Sequence, residues 1–452
     1  MATQRRDAPG LGEAGVIAQP PGVARSGDDL TLAAAEADLL AAPELSGSLA
    51  EYARLWLKRV RGGESGMLPV LGGLVLLVVI FQVENSKFLS AGNLTNLLVQ
   101  AAVFVLLGMA EVFVLLLGEI DLSVGYVAGI GGVIMGELTG YPLSLPWWVG
   151  ILAGLAATTA IGLLQGTLVT RLHVPSFVVT LGGLLGWEGV MIWLVDRDGN
   201  ATGGTIRITN DIIYDLVNGN LSPVAGWAAL AVVVAAFAAL AIMRDRRRRA
   251  SGLAAPPAGL TIAKIIFVAV AGVALVTVCN LNRGVGLQPL SGIPWIVPIV
   301  LVLLAGSTFL LGRTRFGRYV YAIGGNAEAA RRAGINLSRV RIAAFALTGL
   351  LGGAAGIVYA SQLGSISIDI PGGTYVLYAV AAAVIGGTSL FGGRGKMAHA
   401  LLGGLVIAAI YNGMGLLGLG SAAQFMVTAL VLVAAATVDA LARRNQRTSQ
   451  TT

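Results

Sequence analysis

Few side chains in this sequence can do chemistry, and their types and positions narrow what that chemistry is. Inside apolar stretches stand the ionisable residues Glu111, Glu137, Glu188, Lys264, His399 and Asp439. A charge at the centre of a membrane helix costs about 2.5–3.5 kcal/mol on insertion scales, so each needs a partner, a nearby interface or a task. Glu111 and Glu188 lie deepest, and both hydrogen bonding across helices and a place in a pathway stay open for them. Asp439 precedes Arg443 by one helical turn, so an i,i+4 pair accounts for it. The 2 histidines are widely separated and Cys279 is the 1 cysteine, which leaves no metal cluster and no internal disulfide. Cys279 reads as a small buried side chain. Gly392-Gly393-Arg394-Gly395-Lys396-Met397 imitates part of a phosphate loop but lacks its spacing and its magnesium-binding hydroxyl. No catalytic residue, metal or cofactor is expected, and no His/Asp/Glu cluster supports a membrane-bound enzyme.

The polar run Asn326 to Gly334 reads as a docking element. Glu328-Ala329-Ala330 is followed, after three residues, by Gly334, within a strongly basic stretch from Arg313 to Arg341. Small alanines let a groove approach a short helix closely, and Gly334 supplies its C-terminal turn because glycine reaches φ > 0 without steric cost. An ordinary surface turn fits the same nine residues.

The elements that must position these groups are membrane helices. Of 452 residues, 56% are hydrophobic and 12% charged, far below the quarter typical of soluble domains. Apolar stretches near the length of a bilayer crossing recur at 67–83, 94–117, 124–140, 147–170, 175–195, 223–243, 262–279, 293–312, 340–360, 375–391, 397–418 and 421–441. The expected fold is therefore all-α: a polytopic membrane protein with about 12 transmembrane or partly broken helices and an internal repeat. The 63 glycines suit close helix approach. A net charge of +7 sits in the connections and orients the chain rather than binding nucleic acid. Arg54 to Arg61, Arg171, Arg244 to Arg249, Arg313 to Arg318, Arg394 with Lys396, and Arg443 with Arg444 all fall on one side if both termini are cytoplasmic. The other side receives 196–222, with Asp196, Asp198, Asp211 and Asp215 against Arg197 and Arg207.

Three regions follow: residues 1–62, a disordered to amphipathic cytoplasmic extension without a signal peptide; 63–442, the transmembrane body; and 443–452, a cytoplasmic tail. The 244–261 insert, with its arginine block and Pro256-Pro257, is expected to lack packed structure and to lie against anionic headgroups.

Two connections break the hairpin pattern. Gly118-Glu119-Ile120-Asp121-Leu122-Ser123-Val124-Gly125 and Gly386-Gly387-Thr388-Ser389-Leu390-Phe391-Gly392-Gly393 both fit Gly-x-x-x-Leu-x-x-Gly. Paired glycine-interrupted segments in two halves of a transporter point to its pathway, because opened backbone at membrane depth must be buried or line a cavity. Gly118, Asp121, Ser123, Gly125, Gly386, Thr388 and Ser389 are the candidate pathway residues, with two plain cytoplasmic turns as the simpler alternative.

With these residues on the page, the chain resembles the permeases of ribose/xylose-type monosaccharide ABC importers over residues 67 to about 442. The resemblance is carried by 118–125, by Val174-Pro175-Ser176-Phe177-Val178-Val179-Thr180-Leu181-Gly182, by Arg313 through Asn326, and by Ala383 through Leu390. Glu119 departs from it, standing where such permeases commonly have a second glycine. The resemblance implies that Glu328, Ala329, Ala330 and Gly334 form the ATPase-coupling loop. It also implies a separate ABC ATPase subunit, an extracytoplasmic sugar-binding protein, a permease homodimer, and a place in the bacterial inner membrane. The long stretch from Val195 to Pro294, with an extra hairpin, is similar to the xylose branch rather than the shorter ribose one.

A neutral sugar needs paired donors and acceptors plus an aromatic or apolar face. Gln165, Tyr359, Gln362, Asn412, Gln424 and Phe425 supply that inventory within or beside spans, though they would serve equally as interhelical glue. The alternative of a different class is an ion-coupled secondary sugar transporter. The major-facilitator form of it would want a basic loop between spans two and three, where this chain carries Gly118 to Gly125.

Overall fold

Helices, most of them apolar, make up most of the described residues. The computed structural model describes residue 54 and residues 67–197, 201–253, 256–284 and 290–448. Apart from Arg54, the N-terminal extension lies outside these, as do the side chains of Asp439 and Arg443 and hence their expected pairing. The helices are α1 (Leu68–Glu84), α2 (Ala91–Leu115), α3 (Val124–Thr139), α4 (Trp147–Arg171) and α5 (Ser176–Arg197). After strand β1 (Thr205–Arg207) come α6 (Asp211–Asn218), α7 (Pro223–Ala250), α8 (Ala258–Asn280), α9 (Ile296–Arg313), α10 (Arg315–Gly325), α11 (Ala327–Arg332) and α12 (Leu337–Leu363). Strand β2 (Ser365–Ser367) precedes α13 (Gly372–Ile385), α14 (Met397–Leu416) and α15 (Ser421–Thr448).

Among the described residues 8 helices are long and apolar enough to cross a membrane, and α1, α3, α13 and the first part of α15 are shorter apolar helices. Together these account for the twelve expected spans, in an all-α fold. Starts are set locally. Ser222 caps α7 ahead of Pro223, whose missing N–H costs nothing at that position. Asn336 caps α12 through the Arg339 N–H at 2.9 Å.

The middle of the bundle is α2, α12 and α14, whose apolar windows are 83%, 61% and 67% buried; for α7 and α8 the figures are 6% and 11%, so that hairpin is peripheral. Helix α12 lies against α3 and α4 through bare backbone. A Cβ added at Gly349 would overlap the Thr158 carbonyl, and one at Gly356 the Ala128 carbonyl. Dispersion between closely approaching backbones holds such helices together where lipid removes the hydrophobic drive.

Helix α7 runs on to Ala250, so the arginine block is helical and corrects the expectation of an unpacked insert. Arginine is a good helix former, and its charge at a C-terminus opposes the carbonyl end of the dipole. Asp245, inside the block, pairs with Arg244 at 3.3 Å and accepts from the Thr261 hydroxyl, which fastens α7 to α8. At the opposite end the hairpin is closed by a bracket. Asn220 bridges Pro294, the Leu221 N–H donates to the Ile293 carbonyl at 2.8 Å, and Arg283 donates to Asn220 Oδ1 and the Gly292 carbonyl.

Strands β1 and β2 pair antiparallel, Ile206 opposite Ile366, and tie the connection after α5 to the connection after α12. The turns at Leu116–Ser123, Asn326 and Gly386–Lys396 gather at the other end of the bundle, as the contacts below show.

Candidate functional site

Helix α2 and helix α13 end in the same way. The Gly118 N–H donates to the Leu115 carbonyl and the Glu119 N–H to the Val114 carbonyl; the Gly387 N–H donates to Val384 and the Thr388 N–H to Ala383. Each is a paired closure in which one residue takes a left-handed conformation, φ 77° at Gly118 and 110° at Gly387. The structural match therefore runs Gly118 to Gly387, one residue off the sequence match to Gly386. Gly386 has helical angles and is buried against the His399 backbone. Gly125 is likewise inside a helix, facing the Gly372 carbonyl of α13, so it serves close packing rather than the break.

The two breaks touch. The Gly393 N–H donates to the Leu116 carbonyl at 2.9 Å. Helix α10 spans both: Gly324 lies against Leu116 and Gly393, and the Tyr321 hydroxyl donates to the Gly395 carbonyl at 2.8 Å. Glu119, the departure from the family pattern, keeps an ordinary backbone and puts its carboxylate 3.2 Å from Arg341 at the start of α12. Helices of 16 and 14 residues, α3 and α13, reach only about 24 and 21 Å at 1.5 Å per residue. A hydrocarbon core is about 30 Å thick, longer than either helix. The opened backbone is covered: Asp121 is 2% and Ser123 0% exposed.

A hydrogen-bonded relay fills the first break. Asp121 Oδ1 accepts from the Ser123 N–H at 2.9 Å and from the Ser123 hydroxyl at 2.6 Å. Ser123 Oγ in turn accepts from Gln165 Nε2 at 2.7 Å. The structure thus joins two candidate pathway residues to one candidate sugar contact. Glu111 is fully buried on α2, with the Asp121 backbone and carboxyl as its polar neighbours. Glu188 on α5 accepts from the Tyr126 hydroxyl at 2.7 Å, which explains it as a bond between α3 and α5. In the second break Ser389 Oγ accepts from the Phe391 N–H at 3.0 Å, while the Thr388 hydroxyl lies 3.3 Å from His399 Nδ1.

The docking run forms α11, six residues with a device at each end. Asn326 Oδ1 accepts from the Ala329 N–H at 3.0 Å. At the C-terminus Gly334, at φ 81°, closes onto Arg331 while the Ile335 N–H reaches the Ala330 carbonyl. Glu328 pairs with Arg331 at 2.9 Å and Arg332 at 3.1 Å on the surface. Hydrogen bonds from Arg331 and then Arg332 hold its carboxyl below the ordinary value. Ala329 is exposed, but Ala330 is 4% exposed and packs into the chain's own core, so one alanine, not two, faces outward.

The remaining sugar candidates are scattered. Asn412 accepts from Asn93 at 2.8 Å between α14 and α2, Phe425 is 48% exposed on α15, and Gln424 is beside it. Tyr359 and Gln362 sit on α12, Tyr359 edge-on to Tyr375 with centroids 5.3 Å apart. Tyr375 belongs to an aromatic cluster with Phe104 and Tyr378 that sequence reasoning missed. Trp187 was missed as well. It adjoins Gln165 across α4 and α5, and its indole N–H is buried with no partner among the described residues.

Residues 93–436 match the family described as branched-chain amino acid transport system / permease component. The chain is 34% identical over 394 residues to the xylose transport system permease protein of Escherichia coli, covering 85% of this chain and 95% of that one. The corresponding protein of Haemophilus influenzae is 33% identical, covering 82% and 95%. The ribose import permease protein of Escherichia coli is 30% identical, covering 81% and 91%. No solved structure matches.

Proposed function

The chain belongs to the permease-component family of branched-chain amino acid transport systems, and from that premise we propose that it is the membrane subunit of an ATP-driven importer of a monosaccharide, xylose or a related pentose. The observation that carries this reading is the near full-length identity to xylose permeases, which exceeds that to the ribose permease. The α7–α8 hairpin supports the same branch. ATP is hydrolysed by a separate ABC subunit, and an extracytoplasmic binding protein delivers the sugar to a pair of permeases in the bacterial inner membrane, both termini cytoplasmic. Residues 63–442 form the transport body, between the 1–62 extension and the 443–452 tail.

Coupling runs through α11. An ATPase docked on Glu328, Ala329 and the Gly334 turn pushes on α10, which abuts both breaks, and on α12, which Glu119 ties to the first break. A motor shifts the permease between inward and outward states only by binding them with different affinity, and α11 is where that difference enters. The alternative, an ion-coupled secondary sugar transporter, draws on one observation: the fully buried carboxyl of Glu111 beside Asp121. Uptake of labelled pentose into vesicles decides between them. ATP-dependent uptake requiring the ATPase subunit supports the importer; uptake driven by a proton gradient with this chain alone overturns it.

A further inference from the structure

Between α4 and α5 lies a crevice of about 320 Å³, at the lower end of the range of small-molecule sites. Its walls are apolar, Leu164, Leu168, Val179 and Val190, except at two points: the Gln165 carboxamide and the Trp187 indole. Gln165 is 2% exposed and its Oε1 has no partner among the described residues; the Trp187 N–H is also buried without one among them. The two groups flank Gly183, where an added Cβ would stand 2.6 Å from Gln165 Nε2 and 3.2 Å from Trp187 Nε1. Beyond it Gly182 and Gly186 leave open space.

The relay fixes which way the carboxamide faces. The Ser123 hydroxyl donates its hydrogen to Asp121 Oδ1, which leaves Ser123 Oγ to accept from Gln165 Nε2. Gln165 therefore turns its carbonyl oxygen away from Ser123, on a side chain that is one of the polar lining groups of the crevice. Trp187 is set from the other side, because the adjacent Glu188 is held by Tyr126. The result is one acceptor and one donor with nothing to satisfy them, beside an indole ring and aliphatic walls. Leaving both unmet is costly. Among the described residues no charged side chain lines the crevice. Trp187 stands eleven residues beyond Ser176, roughly 16 Å along α5, near the midplane of a core about 30 Å thick.

We propose that this crevice is a contact site for the transported sugar, in which one hydroxyl donates to Gln165 Oε1, a hydroxyl accepts from Trp187 Nε1–H, and the apolar face of the ring lies on the indole. Asp121 and Ser123 are positioning residues that aim Gln165. The assignment rests on the importer reading and adds to it which hydrogen bonds select the cargo.

The test uses the full complex in vesicles of phosphatidylethanolamine and phosphatidylglycerol mixed in two ratios, with xylose and its monodeoxy analogues as probes. Wild type, Trp187→Phe, Gln165→Met and the control Trp193→Phe are compared. Wild type is expected to discriminate against at least one deoxy analogue by roughly tenfold, the worth of one hydrogen bond. Trp187→Phe, which keeps the ring and loses the N–H, should erase that discrimination while lowering xylose uptake; Gln165→Met should erase it at a different hydroxyl; Trp193→Phe should change neither. Unaltered discrimination in Trp187→Phe and Gln165→Met, with wild-type uptake intact, overturns this proposal alone. A wild type that moves no pentose overturns the importer reading with it. Loss of uptake that follows the bilayer composition and not the sugar hydroxyls assigns the crevice to a lipid headgroup and overturns the sugar.

Discussion

The Glu119 carboxylate lies 3.2 Å from the Arg341 guanidinium, joining the break after α2 to the N-terminal part of α12, just past the docking helix. Both side chains are less than one-third exposed, so solvent screens the pair only in part. Arg341→Glu should weaken ATP-driven uptake severalfold, because it sets one carboxylate against another. Exchanging the two charges, Glu119→Arg with Arg341→Glu, should recover most of the uptake. Recovery no better than in the single variant would remove the pair from the coupling route.

Gly334 separates conformational from steric demands. An added side chain meets no atom within 4 Å, but its backbone is at φ 81°. Gly334→Val should uncouple transport, because a β-branched residue resists that conformation, while Gly334→Asn should be mild. Copurification of the ATPase subunit measures both. Equal behaviour of the two variants would dissociate coupling from the turn.

Glu328→Lys should abolish ATPase copurification without removing the protein from the membrane. Since Arg331 and Arg332 hold the Glu328 carboxyl below its ordinary value, the charge pairs persist from neutral pH downward and are lost only as pH falls through that lowered value. ATPase binding by wild type should accordingly be flat around neutrality in a pH titration; a step there would point to another group.

Asp121→Ala leaves the Ser123 N–H and hydroxyl without their acceptor in a buried site, a loss of about 1–3 kcal/mol for each unsatisfied group. A clear drop in melting temperature of the purified protein is expected, together with loss of transport. Asp211→Ala, at the exposed start of α6, should do neither.

Ser123 and Ser389 are 0% and 1% exposed. Cysteines placed there in a Cys279→Ser background should react slowly with a water-soluble thiol reagent, at a rate that rises when nucleotide drives the permease to its other state. Rapid labelling regardless of nucleotide would mark the breaks as plain exposed turns.

Helix number and order were legible because a bilayer crossing leaves a long apolar run, a signal that one sequence carries by itself. The end of α13 was not. Gly386 and Gly387 are adjacent glycines, and contact of Gly386 with the His399 backbone leaves the left-handed cap to its neighbour. The outward face of α11 was half legible for a similar reason: that Ala330 points inward depends on the core under it. Gln165 could be suspected as a polar residue within a span. Trp187 could not, since an indole N–H without a partner is defined only once α4 and α5 stand side by side.

The bracket at Asn220 and Pro294 means that the α7–α8 hairpin leaves and re-enters the body at one point. Two crossings are an even number, so cutting the chain there and rejoining it would leave α9 running in its present direction and every later helix in its present orientation. Gain or loss of the hairpin in evolution needs no reversal of the rest of the protein. It is the sort of unit that one insertion or one deletion can move as a whole.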